Sequence, residues 1–486
     1  MSKRPHLIIF NPDQYRGDVL GHRGNPAAVT PNLDRMAQTD GVSFANAYCQ
    51  NPVCTPSRCS FMTGWYPHVR GHRSQLYMLR PDEPVLLQTL KDNGYFVWWG
   101  GKNDLVAGQH GYDHACHIRN KVEGQRPRAV TQYDRGEPGG DMYYSFMRGR
   151  IDKGDAPYHR DGDWGHVEDA VEFIRGYDRD EPLCLYLPLG YPHPPYAVEE
   201  PWFSMIDRDK LPPRRPLPSR DAGKAGIIHD MAERFNMTGW TEDRWDELRA
   251  TYYGMCARID HQFGLVCDAL REAGMYDDSA VFFFSDHGDF TGDYCLPNKQ
   301  YNVFDDNLAQ VPLVIKPPAD RPAQPRMTEA MAELVDFPAT VFDLTGIEPD
   351  WYHFGRSLMP VITGETDTHR DAAFCEGGML PGEVLWDEFH DQKFGKTSEY
   401  WPTQSVLIEN LPSTTKATMC RTQRYKYVHR LTEKDELYDL EADPTESTNR
   451  IDDPTLAEVH ARLKQRTMDF YLETADVMPR DLDRRE

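Results

Sequence analysis

Residues 6–14 read HLIIFNPDQ, an apolar run that stops at Asn11-Pro12 and is followed at once by Asp13 and Gln14. A short apolar run that stops at a turn signal predicts a buried strand, here from His6 to Phe10. The two polar side chains that follow then lie at the carboxyl end of that strand.

Similar apolar runs recur along the chain and alternate with patterns of helical spacing. Strands are predicted at 95–99, 183–189, 280–284 and 311–315, and helices at 30–41, 84–93, 164–177, 245–273 and 327–344. Short apolar strands that alternate with helices indicate an α/β fold, with a large, mostly parallel or mixed sheet flanked by helices.

The pattern changes after about residue 370. Residues 418–430 and 435–440 predict the two strands of an antiparallel hairpin, and residues 456–472 predict a helix. We therefore divide the chain into a larger α/β domain over residues 1–370 and a smaller C-terminal α+β subdomain over residues 371–486.

Composition excludes several classes of protein. The 486 residues carry a formal net charge of −23, whereas a surface that follows nucleic-acid phosphates needs clustered Lys and Arg, so no nucleic-acid partner is expected. The same charge repels anions at long range, so an anionic substrate needs local cations to hold it. Ten cysteines without a CxxC pair favour buried, reduced thiols over a disulfide scaffold or structural zinc.

No stretch approaches the roughly 18 apolar residues of a membrane span, so no membrane partner is expected. The N-terminus, MSKRPHLIIFNPDQ, also lacks the longer apolar region and small-residue end of a secretory leader. The sequence predicts a soluble, cytoplasmic protein unless a leader was removed. The tail over residues 477–486 is a candidate for contacts between copies in a homo-oligomer, or is simply frayed.

The strongest local signal is Cys54-Thr55-Pro56-Ser57-Arg58, within NPVCTPSRCSFMTGWYPH. Alone, these residues also fit a buried thiol just before a helix that Ser57 caps. The segment resembles the signature of the sulfatase family, in which the Cys of C-x-P-S-R is converted to formylglycine. The flanking sequences TPNLD at 30–34 and TGWYPH at 63–68 match that family as well.

The resemblance implies an alkaline-phosphatase-like fold and a catalytic role for residues 1–370. It makes Cys54 the nucleophile after oxidation by a formylglycine-generating enzyme, with Arg58 stabilising its oxyanion form. A hydrated aldehyde suits this reaction because one hydroxyl attacks sulfur, and the other then loses its proton and collapses to the aldehyde, expelling sulfate.

Asp13-Gln14 and Asp286-His287 form a split candidate metal site, because each pair follows a predicted strand. Ligands collect at the carboxyl ends of parallel strands, so the two pairs can converge. Two carboxylates, an amide oxygen and an imidazole suit a divalent cation, although each pair alone also fits an ordinary capped turn. The resemblance implies that all four residues are ligands.

The first pair is Asp-Gln where many sulfatases have two acids. This variant is similar to that of choline sulfatases and phosphonate monoester hydrolases, and it places less negative charge on the ion. Calcium is our first choice of metal and manganese the second.

Three further residues match sulfatase positions. Lys102 in Gly101-Lys102 and Lys299 in PNKQY resemble the lysines that hold the sulfate oxygens, and His193 in YPHPP resembles the histidine that protonates the ester oxygen. Each alone also fits a plainer structure, a solvated surface lysine or a histidine packed among prolines.

One departure from the family concerns Gly101-Lys102-Asn103-Asp104, where many sulfatases read Gly-Lys-Trp-His. In the family that final His helps to activate the formylglycine hydrate. Asp104, His110 or His72 could replace it, and the sequence does not choose among them.

The resemblance extends to ELYDLEADP at residues 436–444 and so covers most of the chain. The leading hypothesis is hydrolysis of a small anionic sulfate monoester, R–O–SO3⁻, to an alcohol and sulfate. A phosphonate monoester or phosphodiester hydrolase on the same scaffold is the second hypothesis. The third is a non-catalytic anion-binding relative, which an unmodified Cys54 would favour.

Overall fold

The structure, a computed structural model, describes residues 4–124, 130–383 and 395–479. Its strands are β1 His6–Asp13, β2 Val42–Tyr48, β3 Phe96–Trp99, β4 Ile118–Arg119, β5 Met147–Ile151, β6 Leu183–Pro192, β7 Tyr196–Glu199, β8 Ser279–Phe284, β9 Leu313–Lys316, β10 Arg326–Glu333, β11 Ala373–Gly377, β12 Ala417–Arg421, β13 Tyr425–Arg430 and β14 Glu436–Asp439.

The α-helices of the same residues follow in chain order. They are α1 Pro31–Thr39, α2 Cys54–Thr63, α3 Pro67–Arg70, α4 Leu86–Asp92, α5 Gly162–Arg175, α6 Trp202–Met205, α7 Gly226–Phe235, α8 Glu242–Glu272, α9 Asp306–Ala309, α10 Asp336–Thr345, α11 Met359–Ile362, α12 Trp401–Glu409, α13 Leu411–Thr414 and α14 Ala457–Thr474.

An eight-stranded sheet in the order β10-β2-β9-β8-β1-β6-β3-β4 forms the centre of the molecule. β9 runs antiparallel to both of its neighbours, and the other neighbouring strands are parallel. The predicted class, a mixed and mostly parallel sheet flanked by helices with a smaller C-terminal sheet, is therefore confirmed.

Both faces of the large sheet are buried. Along β1, Ile8 and Phe10 pack into one apolar core and Leu7 and Ile9 into another, because successive side chains of a strand point to opposite faces. The first core includes residues of α5 and α8, and the second includes residues of α2, α4 and α10. Burial on both faces explains why β1 is a continuous apolar run.

The helix predicted over residues 327–344 is wrong in its first half. Residues 326–333 form the edge strand β10, which pairs in parallel with β2, and the helix begins only at Asp336. The run MTEAMAE is rich in good helix formers, but pairing with β2 overrides that local preference.

The C-terminal region is built on a second, antiparallel sheet in the order β11-β12-β13-β14. The strand predicted over residues 418–430 is in fact two strands joined by a turn. α14 covers this sheet, and its Phe470 stacks on Phe374 of β11 with ring centroids 3.9 Å apart. The domain boundary at residue 370 stays a prediction.

Three other expectations concern the described residues. All ten cysteines are buried and free, as expected. Among the helices described here, none is both long and apolar enough to cross a bilayer. Most of the tail considered for oligomer contacts, residues 480–486, lies outside the described residues.

Candidate active site

The site lies at the carboxyl edge of the large sheet, where several parallel strands end. Asp13 is the last residue of β1, Asp286 follows β8 by two residues, His193 directly follows β6 and Lys102 follows β3. Because these strands are parallel neighbours, their ends meet at one edge. Lys299 comes from the loop between β8 and α9.

Cys54 is the first residue of α2, and it is 1% exposed. The hydroxyl of Ser57, one turn further along α2, donates to the carbonyl oxygen of Asp286 at 2.6 Å. Ser57 therefore ties α2 to the loop after β8. The plainer interpretation of this segment, in which Ser57 caps the helix, is wrong, because α2 has no side-chain cap.

Arg58 is fully buried between the two carboxylates of the site. Its Nε donates to Asp286 Oδ2 at 2.9 Å and its Nη2 to Asp13 Oδ2 at 3.1 Å. Its hydrogen-bond partners within the described residues are Asn11, Asp13, Tyr186 and Asp286. The guanidinium thus fixes the carboxylates, and its role toward an oxyanion at position 54 stays a prediction.

Four side chains surround the thiol of Cys54. Its Sγ lies 3.2 Å from Lys299 Nζ, 3.3 Å from His287 Nε2, 3.4 Å from Lys102 Nζ and 3.6 Å from Asp13 Oδ1. Burial and the charge of Asp13 raise the pKa of the Cys54 thiol to about 12. An unmodified thiol here is protonated at neutral pH and is a weak nucleophile.

A cluster suited to a metal ion surrounds the same point. The ligand atoms of Asp13, Cys54, Asp286 and His287 all lie within 4.8 Å of one another. His287 Nδ1 lies 2.8 Å from the carbonyl oxygen of Gly288 and so carries the hydrogen, which leaves the Nε2 lone pair facing the cluster. Burial lowers the pKa of His287 to about 4, so the ring is neutral and able to coordinate.

Gln14 completes this edge of the site. Its backbone has a φ of 70°, in the left-handed region, and its N–H donates to Asp286 Oδ1 at 3.0 Å. Its Oε1 accepts from Lys299 Nζ at 2.7 Å, and its Nε2 donates to Asn298 Oδ1 at 3.0 Å. Two carboxylates, an imidazole and a nearby amide oxygen form a donor set that fits a divalent cation of the calcium or manganese type.

Lys102 contacts both the metal-binding cluster and Asp104, the residue that stands where many sulfatases have a histidine. Its Nζ lies 2.5 Å from Asp13 Oδ2 and 2.7 Å from Asp104 Oδ2. Burial lowers the pKa of Lys102, but Asp13, Cys54 and Asp104 outweigh burial and hold it well above its usual value. Lys102 is therefore a fixed cation beside the thiol.

Asp104, His110 and His72 are the candidates to replace the family histidine, and of these Asp104 lies at the site. It lines the same cavity as Lys102 and Lys299. His110 is exposed, on a short 3-10 turn, and His72 pairs with Glu83 at 3.0 Å.

A cavity of about 320 Å³ opens over the two lysines, and His193 lines it as well. His193 Nδ1 lies 2.7 Å from the carbonyl oxygen of Pro194, so the tautomer with Nδ1–H leaves Nε2 free to face a ligand. Burial and the charge of Lys299 lower the pKa of His193 well below its ordinary value. The structure thus brings all nine residues proposed from the sequence to one edge of the sheet.

Two glycines permit the close approach of the loops that carry these residues. A Cβ at Gly101, where φ is +114°, would lie 1.9 Å from the carbonyl oxygen of Pro188. A Cβ at Gly288 would lie 2.0 Å from the carbonyl oxygen of Asn307. Any larger residue would clash with these backbone atoms, so one of the two loops at each position would have to move.

Sequence reasoning missed several residues of the site. Asp289 directly follows the Asp-His-Gly motif and accepts hydrogen bonds from Tyr196 and Gln14, and Asn298 directly precedes Lys299. Adjacency to a motif was the available signal for both. Tyr400 and Thr403 also line the cavity but lie far from every motif in the chain.

A mixed α/β sheet with an acid-and-histidine cluster beside a buried cysteine is consistent with the alkaline-phosphatase-like class of hydrolases. A sulfatase family model matches residues 5–347, and a model for the C-terminal region of N-sulphoglucosamine sulphohydrolase matches residues 406–472. The chain belongs to the sulfatase family, and it is a sulfuric ester hydrolase.

Comparison with known proteins gives relatives over nearly the whole chain. Arylsulfatase K of Gallus gallus is 26% identical over 92% of this chain and 79% of its own length. The multifunctional alkaline phosphatase superfamily protein PehA of Trinickia caryophylli is 26% identical over 97% of this chain and 96% of its own.

Among solved structures, the phosphonate monoester hydrolase of Agrobacterium radiobacter superposes with a TM-score of 0.77 at 24% identity. The superposition covers 97% of this chain and 96% of that one. This likeness extends over both sheets.

Proposed function

We propose that the protein hydrolyses a sulfate monoester through a formylglycine made from Cys54, with one divalent metal ion bound beside it. The observation that carries this proposal is the meeting of Asp13, Asp286 and His287 around Cys54, with ligand atoms within 4.8 Å. A hydrated aldehyde at position 54 supplies one hydroxyl that bonds to sulfur and a second whose deprotonation expels sulfate.

Asp13, Gln14, Asp286 and His287 would hold the metal ion. When bound, the ion supplies a positive charge that polarises an oxygen of the sulfuryl group and favours the ionised nucleophile. Arg58 keeps the two carboxylates apart and oriented through its bonds at 2.9 and 3.1 Å. Calcium suits the oxygen-rich set, and manganese is the second choice.

Lys102 and Lys299 are our candidates to hold the sulfuryl oxygens. Their ammonium groups lie 3.4 and 3.2 Å from the Sγ of residue 54, on the side that lines the cavity. Two fixed cations there stabilise the charge that develops as the S–O bond to the leaving group breaks. They also supply the local attraction that a chain with a net charge of −23 needs to bind an anion.

His193 faces the same cavity and is our candidate for the proton donor to the leaving oxygen. Its Nδ1 is held by the carbonyl oxygen of Pro194, so Nε2 is the atom that would transfer the proton. The ring would have to be an imidazolium at that stage, and the negative charge of a bound sulfate ester favours that form. Asp104, at 2.7 Å from Lys102 Nζ, orients that lysine and is our candidate for the role of the missing family histidine.

A phosphonate monoester or phosphodiester is the second candidate substrate. The likeness to the phosphonate monoester hydrolase of Agrobacterium radiobacter and to PehA favours it. Gln14 in place of an acid also leaves less negative charge on the metal side of the site, where a phosphonate oxygen would bind.

One experiment separates these candidates. The chain is co-expressed with a formylglycine-generating enzyme, and the peptide across Cys54 is examined by mass spectrometry for replacement of the thiol by an aldehyde. The metal-loaded protein is then assayed with 4-nitrophenyl sulfate and with the 4-nitrophenyl monoester of phenylphosphonate. We expect higher kcat/KM for the sulfate. The reverse order would favour the second candidate, and an intact thiol in a protein that still turns over sulfate would reject the proposed nucleophile.

Localisation in the cytoplasm also remains a proposal.

A further inference from the structure

Asp289 is a buried acid that stands directly behind the candidate metal ligands. It follows His287-Gly288 in the chain, and its side chain is fully buried. It contacts the site through Gln14, whose Nε2 donates a hydrogen bond to Asp289 Oδ2. The reaction proposed above uses neither the charge nor the contacts of Asp289.

The donors to this carboxylate among the described residues are neutral groups. Oδ1 accepts from the backbone N–H of Thr291 at 2.6 Å, from the Thr291 hydroxyl at 2.7 Å and from the Tyr196 hydroxyl at 2.8 Å. Buried charges are usually paired with an opposite charge, because their removal from water is costly. An asparagine with its oxygen at the Oδ1 position could accept all three of these bonds, so they do not explain why an acid stands here.

Oδ2 is the acceptor that an asparagine could not supply in that orientation. Gln14 Nε2 donates to Asp289 Oδ2 and to Asn298 Oδ1, the second at 3.0 Å, so both hydrogens of the amide have an acceptor. Gln14 Oε1 then faces Lys299 Nζ at 2.7 Å, and Lys299 Nζ lies 3.2 Å from the Sγ of Cys54. The two ends of an amide are nearly alike in shape, so the hydrogen-bond partners decide which end faces the site.

We propose that Asp289 is a positioning residue that holds the amide of Gln14 with Oε1 toward the metal ion and Lys299. This inference rests on the proposed function, which makes Gln14 a metal ligand. A divalent cation binds the amide oxygen, whereas a reversed amide would direct its N–H donors at the ion. The same contact explains the amide at position 14, because an acid there would set two carboxylates against each other.

Asp289→Asn removes the acceptor and keeps the shape of the side chain. The two donors of Thr291 hold the oxygen of the new amide at the Oδ1 position, so its nitrogen replaces Oδ2 and opposes Gln14 Nε2. Two donors then face each other, and the amide of Gln14 reverses or moves. We expect the affinity for calcium and for manganese to fall about 10–100-fold, as when a ligand loses its outer hydrogen-bond partner.

Gln14→Glu supplies the second half of a charge exchange. In the double variant, the new amide at position 289 donates to the new carboxylate at position 14, which still presents an oxygen to the metal ion. Asp289→Asn should therefore weaken metal binding in the wild-type background, and should change Kd by no more than about two-fold in the Gln14→Glu background. A general structural role of Asp289 would not depend on residue 14 in this way.

Thr291→Val is the matched control. It removes one donor to Asp289 Oδ1, but it leaves the backbone donor of Thr291 and the bond from Gln14 in place. Threonine and valine have nearly the same shape, and Kd should change by no more than about two-fold.

Metal binding is measured by calorimetric titration of calcium or manganese into metal-free protein. The titrations are made at pH 8, because burial raises the pKa of Asp289 to about 6 and the carboxyl is ionised above it. Every variant is co-expressed with a formylglycine-generating enzyme, and mass spectrometry across Cys54 confirms equal modification. Urea denaturation without metal confirms that each variant is folded.

An equal loss of affinity in both backgrounds, or no loss in either, would overturn the inference, because Asp289 would then act independently of Gln14. A loss in Thr291→Val as large as that in Asp289→Asn would also overturn it. A wild type that binds neither metal would reject the proposed metal site together with this inference. Binding that shows the expected dependence on residue 14, in a protein that hydrolyses no ester, would support the inference and reject the proposed reaction.

Discussion

Two parts of the molecule bury many charged side chains, but they do so in different ways. The first is the active-site cluster, which comprises Asp13, Arg58, Lys102, Asp286 and Lys299. The second, here called the ion cluster, joins α9 to the C-terminal sheet and comprises Lys224, Asp305, Asp306, Lys426 and Glu446.

In the ion cluster the ammonium groups contact protein oxygens. Lys426 Nζ donates to the carbonyl oxygen of Phe304 at 2.9 Å and to Asp306 Oδ1 at 2.6 Å, and it also pairs with Glu446. In the active-site cluster, Lys102 and Lys299 each contact a thiol and line a cavity. Buried charge is therefore common to both clusters, and contact with a thiol beside a cavity is what distinguishes the active-site cluster.

The largest expected effect is that of Cys54→Ala. It removes the proposed nucleophile, so kcat should fall at least about 10⁴-fold, while the free energy of unfolding changes little. Steady-state kinetics and urea denaturation measure the two quantities. Cys59→Ala, on the same buried helix, is the matched control and should keep its activity. Activity that survives in Cys54→Ala would show that the active-site cluster works without this residue.

His193→Gln tests the proton donor. Loss of a general acid should lower kcat about 10²–10⁴-fold for an alkyl sulfate, whose leaving alcohol needs a proton. The effect should be much smaller for 4-nitrophenyl sulfate, whose phenolate leaves unprotonated. An equal loss with both esters would mean that His193 positions the substrate and does not supply a proton.

Lys426→Met removes one buried charge from the ion cluster. Removing one partner leaves buried carboxylates without their cation, so the free energy of unfolding should fall by about 3–5 kcal/mol. The kcat of the folded protein should stay within a few-fold of wild type. Urea denaturation, with an assay at low urea, tests both. A large loss of kcat in protein shown to be folded would indicate that the two clusters are coupled.

Metal binding should stabilise the protein only through the active-site cluster. At a free calcium or manganese concentration of 100 times Kd, stability should rise by about 2.7 kcal/mol over the chelated protein. Asp286→Asn should abolish this rise, whereas Asp306→Asn in the ion cluster should retain it. Thermal denaturation with and without metal gives the comparison. An equal rise in both variants would place the ion elsewhere.

The smallest effect concerns Glu83, a carboxylate outside both clusters. It accepts hydrogen bonds from Arg70 and from the backbone N–H of Arg80, and its Oε2 lies 3.0 Å from His72 Nε2. Burial alone would raise the pKa of Glu83, but His72 and the donors of Arg80 and Arg70 lower it from 4.5 to about 2. Its stabilisation is therefore full above pH 4.5 and is lost as the pH falls toward 2.

Replacing Glu83 by Gln should make the decline in stability between these pH values shallower. One carboxyl binds at most one proton, so the slopes of unfolding free energy against pH can differ by at most about 1.4 kcal/mol per pH unit. Urea denaturation at a series of pH values measures both slopes. Identical slopes would show that Glu83 has the same pKa in the folded and unfolded protein.

Most strands of the large sheet could be predicted from local sequence, because the strands beneath the site are apolar on both faces. The run HLIIF at the start of β1 and AVFFF in β8 have no competing interpretation as surface segments. The edge strand β10 was missed because MTEAMAE has helix-forming residues, and its strand conformation depends on pairing with β2, a partner remote in sequence.

The residues of the site also fall into those that local sequence predicts and those that depend on contacts between distant segments. Residues 13, 14, 54, 286 and 287 follow strands or sit in motifs, so their types and positions already indicated the chemistry. The contacts of Arg58 with both carboxylates could not be predicted, because they depend on side-chain directions across α2, β1 and β8. Tyr400 and Thr403 reach the cavity only through packing of the C-terminal region, which leaves no local pattern.

Every residue of α2, from Cys54 to Thr63, is buried. A backbone amide in this helix can therefore exchange with deuterium only when the surrounding core opens, since no face of the helix is wet. Its exchange rates should report the global unfolding equilibrium, and the helix that carries Cys54 should be among the last segments of the chain to take up label.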